Sequence, residues 1–175
     1  MIAKISKHSS FEIVLKHVLE NVQANIFHSN MVSKNIKDLA REFRLFTCFQ
    51  PHLLYKCYHI ILSIISREEG HILGECNQHI GEYEYNRLVR RYLQELGFLN
   101  NQMYDKDAMD KCQYIAAIKH RQGREEIHII VSGIKMDGNA IDCKVAIKFN
   151  EIAIKIIKEE FSLIDDFEEG LELAF

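Results

Sequence analysis

The sequence predicts an α+β fold, one antiparallel or mixed sheet with helices packed on it. Apolar spacing gives the segment order β-α-β-α-β-α-β-β-α along the 175 residues. Two strands, Gln113–Ile118 and Ile127–Ile134, flank a short Gly-containing loop, His120-Arg121-Gln122-Gly123-Arg124-Glu125, which marks an antiparallel hairpin. With 47% hydrophobic and 27% charged residues the composition is that of a folded domain and excludes wholesale disorder.

The elements follow in order. Residues 2–5 read as a short strand. Phe11, Val14, Leu15 and Val18 recur at helical spacing behind Ser9 or Ser10 as a cap. Ala24–Phe27 is a second short strand. Ser33 is placed to cap a second helix with Ile36, Leu39, Ala40 and Phe43 inward, and Pro51 closes the segment after it. Tyr58–Ile65 is β-branched and aromatic and reads as a central strand. Residues 66–81 carry Gly70, Gly74 and Gly81 and read as a loop with a weak helical turn. Tyr83–Leu96 is a third helix stopped by Gly97. Asn100–Lys111 is polar and aperiodic, an exposed insertion. After the hairpin, Asp137-Gly138 turns the chain into a last helix, Phe149–Phe161, with Ile152, Ile156 and Ile157 inward. Residues 1–164 thus read as one domain and 165–175 as an acidic C-terminal tail.

No apolar run approaches the roughly 18 residues of a membrane span. Met1–Ile5 lacks the core of a signal peptide, which predicts a cytoplasmic protein. Cys48, Cys57, Cys76, Cys112 and Cys143 are odd in number and none are spaced C-x-x-C, so buried or free thiols are expected.

Net charge is −3, but its distribution matters more. The tail holds five acids and no base, leaving 22 bases against 20 acids over residues 1–164. Bases cluster at Lys34, Lys37, Arg41 and Arg44, at Arg87, Arg90 and Arg91, and at Lys119, Arg121 and Arg124. Solvated helix faces explain the first two groups as well as a ligand would. The third lies in the turn between two strands, where that explanation is weaker.

On the second hairpin strand, period two puts Glu126, His128, Ile130 and Ser132 on one side and Ile127, Ile129 and Val131 on the other. A carboxylate and an imidazole side by side on a core strand can hold a divalent cation, with a third ligand from His120 or from His59 on a neighbouring strand. A solvent-facing Glu-x-His pair is the commoner outcome of that spacing. His17 lies near the apolar face of the first helix, where a packing histidine is the usual outcome. No phosphate-loop, dinucleotide, nucleophile-elbow or zinc-helix motif is present.

Taken in order, these segments resemble the relaxase/mobilisation nuclease family of the HUH endonuclease superfamily. Met1–Ile5 followed by Ser10-Phe11 resembles the family's opening strand and Ser-Phe start. Asn30-Met31 resembles its Gly-Asn-Met turn. Leu39–Phe43 and Pro51 resemble the second helix and the turn after it. Tyr58-His59-Ile60-Ile61-Leu62-Ser63 is similar to Tyr-His-x-x-Leu-Ser, and Tyr92–Phe98 to the helix ending in Met-Gly-Phe. Gln113–Ala116 and His128–Ser132 resemble the metal-motif hairpin, and Asp137-Gly138 the turn beyond it.

The resemblance implies a central antiparallel sheet flanked by helices and an enzyme that nicks one DNA strand at a plasmid-transfer origin. It implies a tyrosine nucleophile on the first helix, histidine in one branch, and a metal held as His-x6-His-x-His. Here the nucleophile position falls on His17, and the metal positions read Lys119, Glu126 and His128. The carboxylates usual between the first two histidines are replaced by Arg121, Gly123 and Arg124. His120 could replace Lys119 if the hairpin shifts by one residue.

Three expectations result. One is a domain binding single-stranded or hairpin DNA through Lys119, Arg121, Arg124, Arg41 and Arg44, with nicking weakened or lost. Another is an active nickase with His17 as nucleophile and Mn²⁺ or Mg²⁺ on His128, Glu126, His120 and His59. A third is an interaction module that keeps only the fold and meets a protein partner through the acidic tail, where Phe167, Leu171, Leu173 and Phe175 interleave the carboxylates.

Overall fold

The computed structural model describes residues 1–65, 82–100, 111–121, 124–161 and 163. The predicted loop over 66–81, the body of the insertion at 101–110 and the tail at 165–175 lie outside the described residues.

The described residues build a five-stranded sheet: β1 (Ile2–His8), β2 (Asn25–Ser29), β3 (Cys57–Ile65), β4 (Cys112–Arg121) and β5 (Arg124–Lys135). Their order across the sheet is β1-β3-β5-β4-β2, with every neighbouring pair antiparallel. The helices are α1 (Phe11–Lys16), α2 (Ile36–Arg44), α3 (Glu82–Glu95) and α4 (Cys143–Glu160). The α+β arrangement with a flanked antiparallel sheet is as the sequence predicts.

Period two divides the sheet into two cores. Tyr58, Ile60, Leu62 and Ile64 of β3, with Tyr114, Ala116, Ile127, Ile129 and Val131, face α3 and α4. Cys57, Ile115, Ala117 and Ile130 face α1 and α2, where Phe11 stacks on Phe43 with ring centroids 4.5 Å apart. The central strands are therefore buried on both sides, which explains why β3 and β5 are near-continuous in Ile, Leu and Val.

Several boundaries differ from expectation for identifiable reasons. Asn35, not Ser33, caps α2: its Oδ1 accepts from the Asp38 amide at 2.9 Å. The Ser33 amide instead donates to Glu42. The hairpin loop is tighter, because β4 continues to Arg121, which pairs with Arg124. Polar residues can occupy strands here because that end of the sheet reaches solvent. The last helix begins at Cys143, six residues earlier than expected. Its inward positions are Ala153 and Ile157, spaced one turn apart, while Ile152 is 52% exposed. Helix α3 ends as expected, with Gly97 at φ +79°. Gly138 takes φ +87° in the Asp137-Gly138 turn. Cys57 and Cys112 are buried thiols, and Cys48 is an exposed one.

The phase of α4 is testable by denaturant unfolding. Ile157→Ala should lose about 2–5 kcal/mol through the cavity it leaves. Ile152→Ala should stay within about 0.5 kcal/mol of the parent. Equal losses would place the helix in the wrong rotation.

Candidate functional site

The face of the sheet that carries α1 is covered only in part. Its rows can be read from the strand register. Near the covered end, Ser6, His59, Ile130 and Ile115 lie side by side. The next row is Lys4, Ile61, His128 and Ala117. Then come Ile2, Ser63, Glu126 and Lys119, and at the tip Arg124 opposite Arg121. The open end therefore gathers Lys4, Lys119, Arg121 and Arg124 around one carboxylate, Glu126.

Glu126 holds Arg121, Oε2 to Nε 2.9 Å. The same oxygen lies 3.9 Å from His128 Nε2. On its other side His128 Nδ1 meets His59 Nε2 at 3.1 Å, a hydrogen bond between two buried rings. These are diagonal neighbours across β3 and β5, near parallel at 20° with centroids 5.3 Å apart.

His17 reaches the same cluster from α1. It caps α1 and opens a wider turn in which the Val22 amide donates to the His17 carbonyl, five residues back. Its ring stands edge-on to His59 at 6.1 Å and is exposed to solvent. The expectation of a packing histidine therefore gives way: Leu15 and Val18 fill the core beside it. His8, which no sequence pattern by itself singles out, lies 6.1 Å from His59 on the other side, with Ser6 Oγ at 3.0 Å from its Nε2. Its signal was Ser6-x-His8 at strand spacing on the edge strand, legible only once β1 is known to extend to residue 8.

Burial makes these imidazoles poor bases. His59 is pushed down to about 3, first by burial and then by His128, His8 and His17. His128 is lowered chiefly by burial, with Glu126 pulling the other way. His8 is lowered by burial and by His17.

The remaining expected site residues lie elsewhere. His120 is on the opposite face of β4, where its Nδ1 pairs with Glu125 at 3.2 Å, so it does not join Glu126 and His128. The one-residue hairpin shift that would bring it there is absent, because Lys119 pairs with Glu126. Arg44 and Arg41 lie on the surface of α2, Arg44 bound to Glu12 at 3.1 Å and Arg41 4.0 Å from Asp38.

The family model "Relaxase: MobA/VirD2-like, nuclease domain" matches residues 14–163. The chain belongs to that family. Neither a curated protein nor a solved structure matches it. Among the described residues no helix is long and apolar enough to cross a membrane.

The residues at the three metal positions fit a divalent cation poorly. Lys119 is no ligand while protonated, and Glu126 is engaged by a guanidinium. Among the described residues no three His, Cys, Asp or Glu side chains gather around one point. What the site offers instead is fixed positive charge beside a buried imidazole pair.

The low value for His59 has a consequence for stability. Below the ordinary histidine value of 6.5 the unfolded chain takes up a proton at residue 59, whereas the folded chain stays neutral there until about pH 3. Stability present above pH 6.5 is therefore lost as pH falls, by up to about 1.4 kcal/mol per pH unit for this group. Urea unfolding between pH 6.5 and 4.5 should show that slope in the parent and a flatter one in His59→Gln. Parallel slopes would mean that residue 59 takes its proton in the folded state.

Proposed function

We propose that this relaxase-family domain binds single-stranded or hairpin DNA at the open end of the sheet, and that its strand nicking is weakened or lost. The observation that carries the reading is the pairing of Lys119 with Glu126, and of Glu126 with Arg121, at the positions where the resemblance puts metal-binding histidines. A divalent cation concentrates charge on one oxygen of the scissile phosphate and makes phosphorus easier to attack. Arginine spreads its charge over several phosphate oxygens through a planar fork, and lysine adds a strongly hydrated single charge, and both favour holding the backbone over polarising one oxygen. Lys4 and Arg124 extend the same strip. Arg41 and Arg44 would add contacts only to a strand long enough to run over α2, and each would first leave its carboxylate.

A second reading, an active nickase using His17, is favoured by one observation: that imidazole is exposed at the end of α1, 6.1 Å from His59. A neutral ring nitrogen would bond to phosphorus as the 3′ oxygen leaves, joining the protein to the 5′ phosphate. The Mn²⁺ or Mg²⁺ this branch would use finds few ligands here, which is why we rank it second.

Fluorescence anisotropy with a labelled single-stranded oligonucleotide tests the first reading. Affinity should fall linearly with salt on logarithmic axes, and K119A/R121A should reduce the slope by about one to two and weaken binding about tenfold. No binding at low salt would overturn it. Denaturing gels of the same mixtures with added Mg²⁺ or Mn²⁺ separate the two readings. Little or no covalent adduct is expected. An adduct formed efficiently with metal and absent in His17→Ala would instead establish the nickase.

A further inference from the structure

The His59–His128 pair leaves one atom unexplained. His128 is 3% exposed, and its Nε2 is buried with no hydrogen-bond partner. Buried polar atoms are nearly always satisfied, so an orphan beside a functional cluster calls for an explanation. The contacts on either side of the ring decide what that is. One proton lies between His59 Nε2 and His128 Nδ1, and each neutral ring carries one N–H. Were that proton on His128, its Nε2 would present a lone pair to the Glu126 carboxylate 3.9 Å away, lone pair against negative charge. With the proton on His59, His128 instead turns an N–H toward the carboxylate, the favourable arrangement. Glu126 is too far to accept it and already receives Arg121. His128 Nε2–H is thus an oriented donor lacking an acceptor, on a face with Lys4, Lys119, Arg121 and Arg124.

We propose that His128 binds an anionic phosphate oxygen directly through Nε2–H, with His59 as the positioning residue that fixes its tautomer and Lys119 and Arg121 offsetting the charge of both the phosphate and the Glu126 carboxylate beside it. The inference rests on the DNA-binding reading and deepens it: a backbone phosphodiester occupies the place of a cation, and the histidine of the metal motif has become a donor. His59 has no contact with the ligand. It acts by accepting no proton from His128 and giving it one hydrogen bond.

The test is nitrogen-15 NMR of the full chain labelled at histidine, near pH 7.5, titrated first with inorganic phosphate and then with a single-stranded oligonucleotide. The free protein should show His128 as the Nε2–H tautomer, and both ligands should move its Nε2 resonance. His128→Phe should weaken phosphate binding about tenfold. His59→Gln, whose amide can still donate to Nδ1, should keep tautomer and binding, whereas His59→Leu should lose both. Finding His128 as the Nδ1–H tautomer in the parent protein overturns the proposal whether or not the leucine variant folds. An oligonucleotide that binds without moving His128 also overturns it while leaving the DNA reading intact. Phosphate that moves His128 in a chain that ignores oligonucleotides supports the donor site, with free phosphate as its ligand, and removes the DNA reading.

Discussion

The register between β3 and β5 is the constraint from which the site follows. Over their central residues both strands are buried on both faces, so each residue there must suit the core it enters. His59 beside Ile130, and Ile61 beside His128, is the pairing that makes the two rings diagonal neighbours. A slip of one residue in either strand would send its imidazole into the Leu and Ile layer under α3 and α4, and bring isoleucines to the face under α1. The hydrogen bond between the rings and the apolar packing of Ile60, Leu62, Ile127 and Ile129 therefore select the same register. Polar chemistry and core packing are not separable here.

Helix α1 completes the arrangement by what it leaves uncovered. Phe11, Val14, Leu15 and Val18 seal the sheet over Cys57, Ile115, Ala117 and Ile130, and the wide turn His17–Asn21 forms the end of the seal, with Leu19 and Val22 packed against it. Beyond that point the strands continue for two further rows without a helix above them. Residues that would be intolerable in the core, Lys119, Arg121 and Glu126, stand there partly solvated, within one row of a fully buried histidine. The gradient from dry to wet lies along the strands.

Much of this was legible in the sequence because period two survives burial. Glu126, His128, Ile130 and Ser132 share a face as their spacing requires, and the order of segments leads to the family that the match over residues 14–163 shows. What failed to show was whatever depends on strand ends and on helical phase. The composition of residues 120–125 predicts a six-residue loop that leaves His120 available; two further rungs of pairing put it on the opposite face, against Glu125. Ser33 and Asn35 are both competent caps, and the engagement of the Ser33 amide by Glu42, a tertiary contact, is invisible in the local sequence. His8 lies beyond the four residues, 2–5, whose pattern predicts the first strand, which extends to residue 8.

On the proposed reading, the charge of the site is what lets this domain hold DNA while its nicking is weakened or lost. Phosphate affinity depends on total positive charge within reach, which two lysines and two arginines provide. Rate depends on interactions that strengthen as charge develops on the reacting oxygens, and one such preorganised contact is commonly worth about a hundredfold or more. A metal gains from that development because its charge sits on a single oxygen. Arg121 offers less, because Glu126 takes its Nε and part of its charge, leaving only the Nη–H donors of a delocalised cation for a phosphate. On the proposed reading, the ion pair that keeps a lone carboxylate tolerable in a basic strip thus leaves Arg121 able to hold a DNA phosphate while offering no concentrated charge to the reacting oxygen.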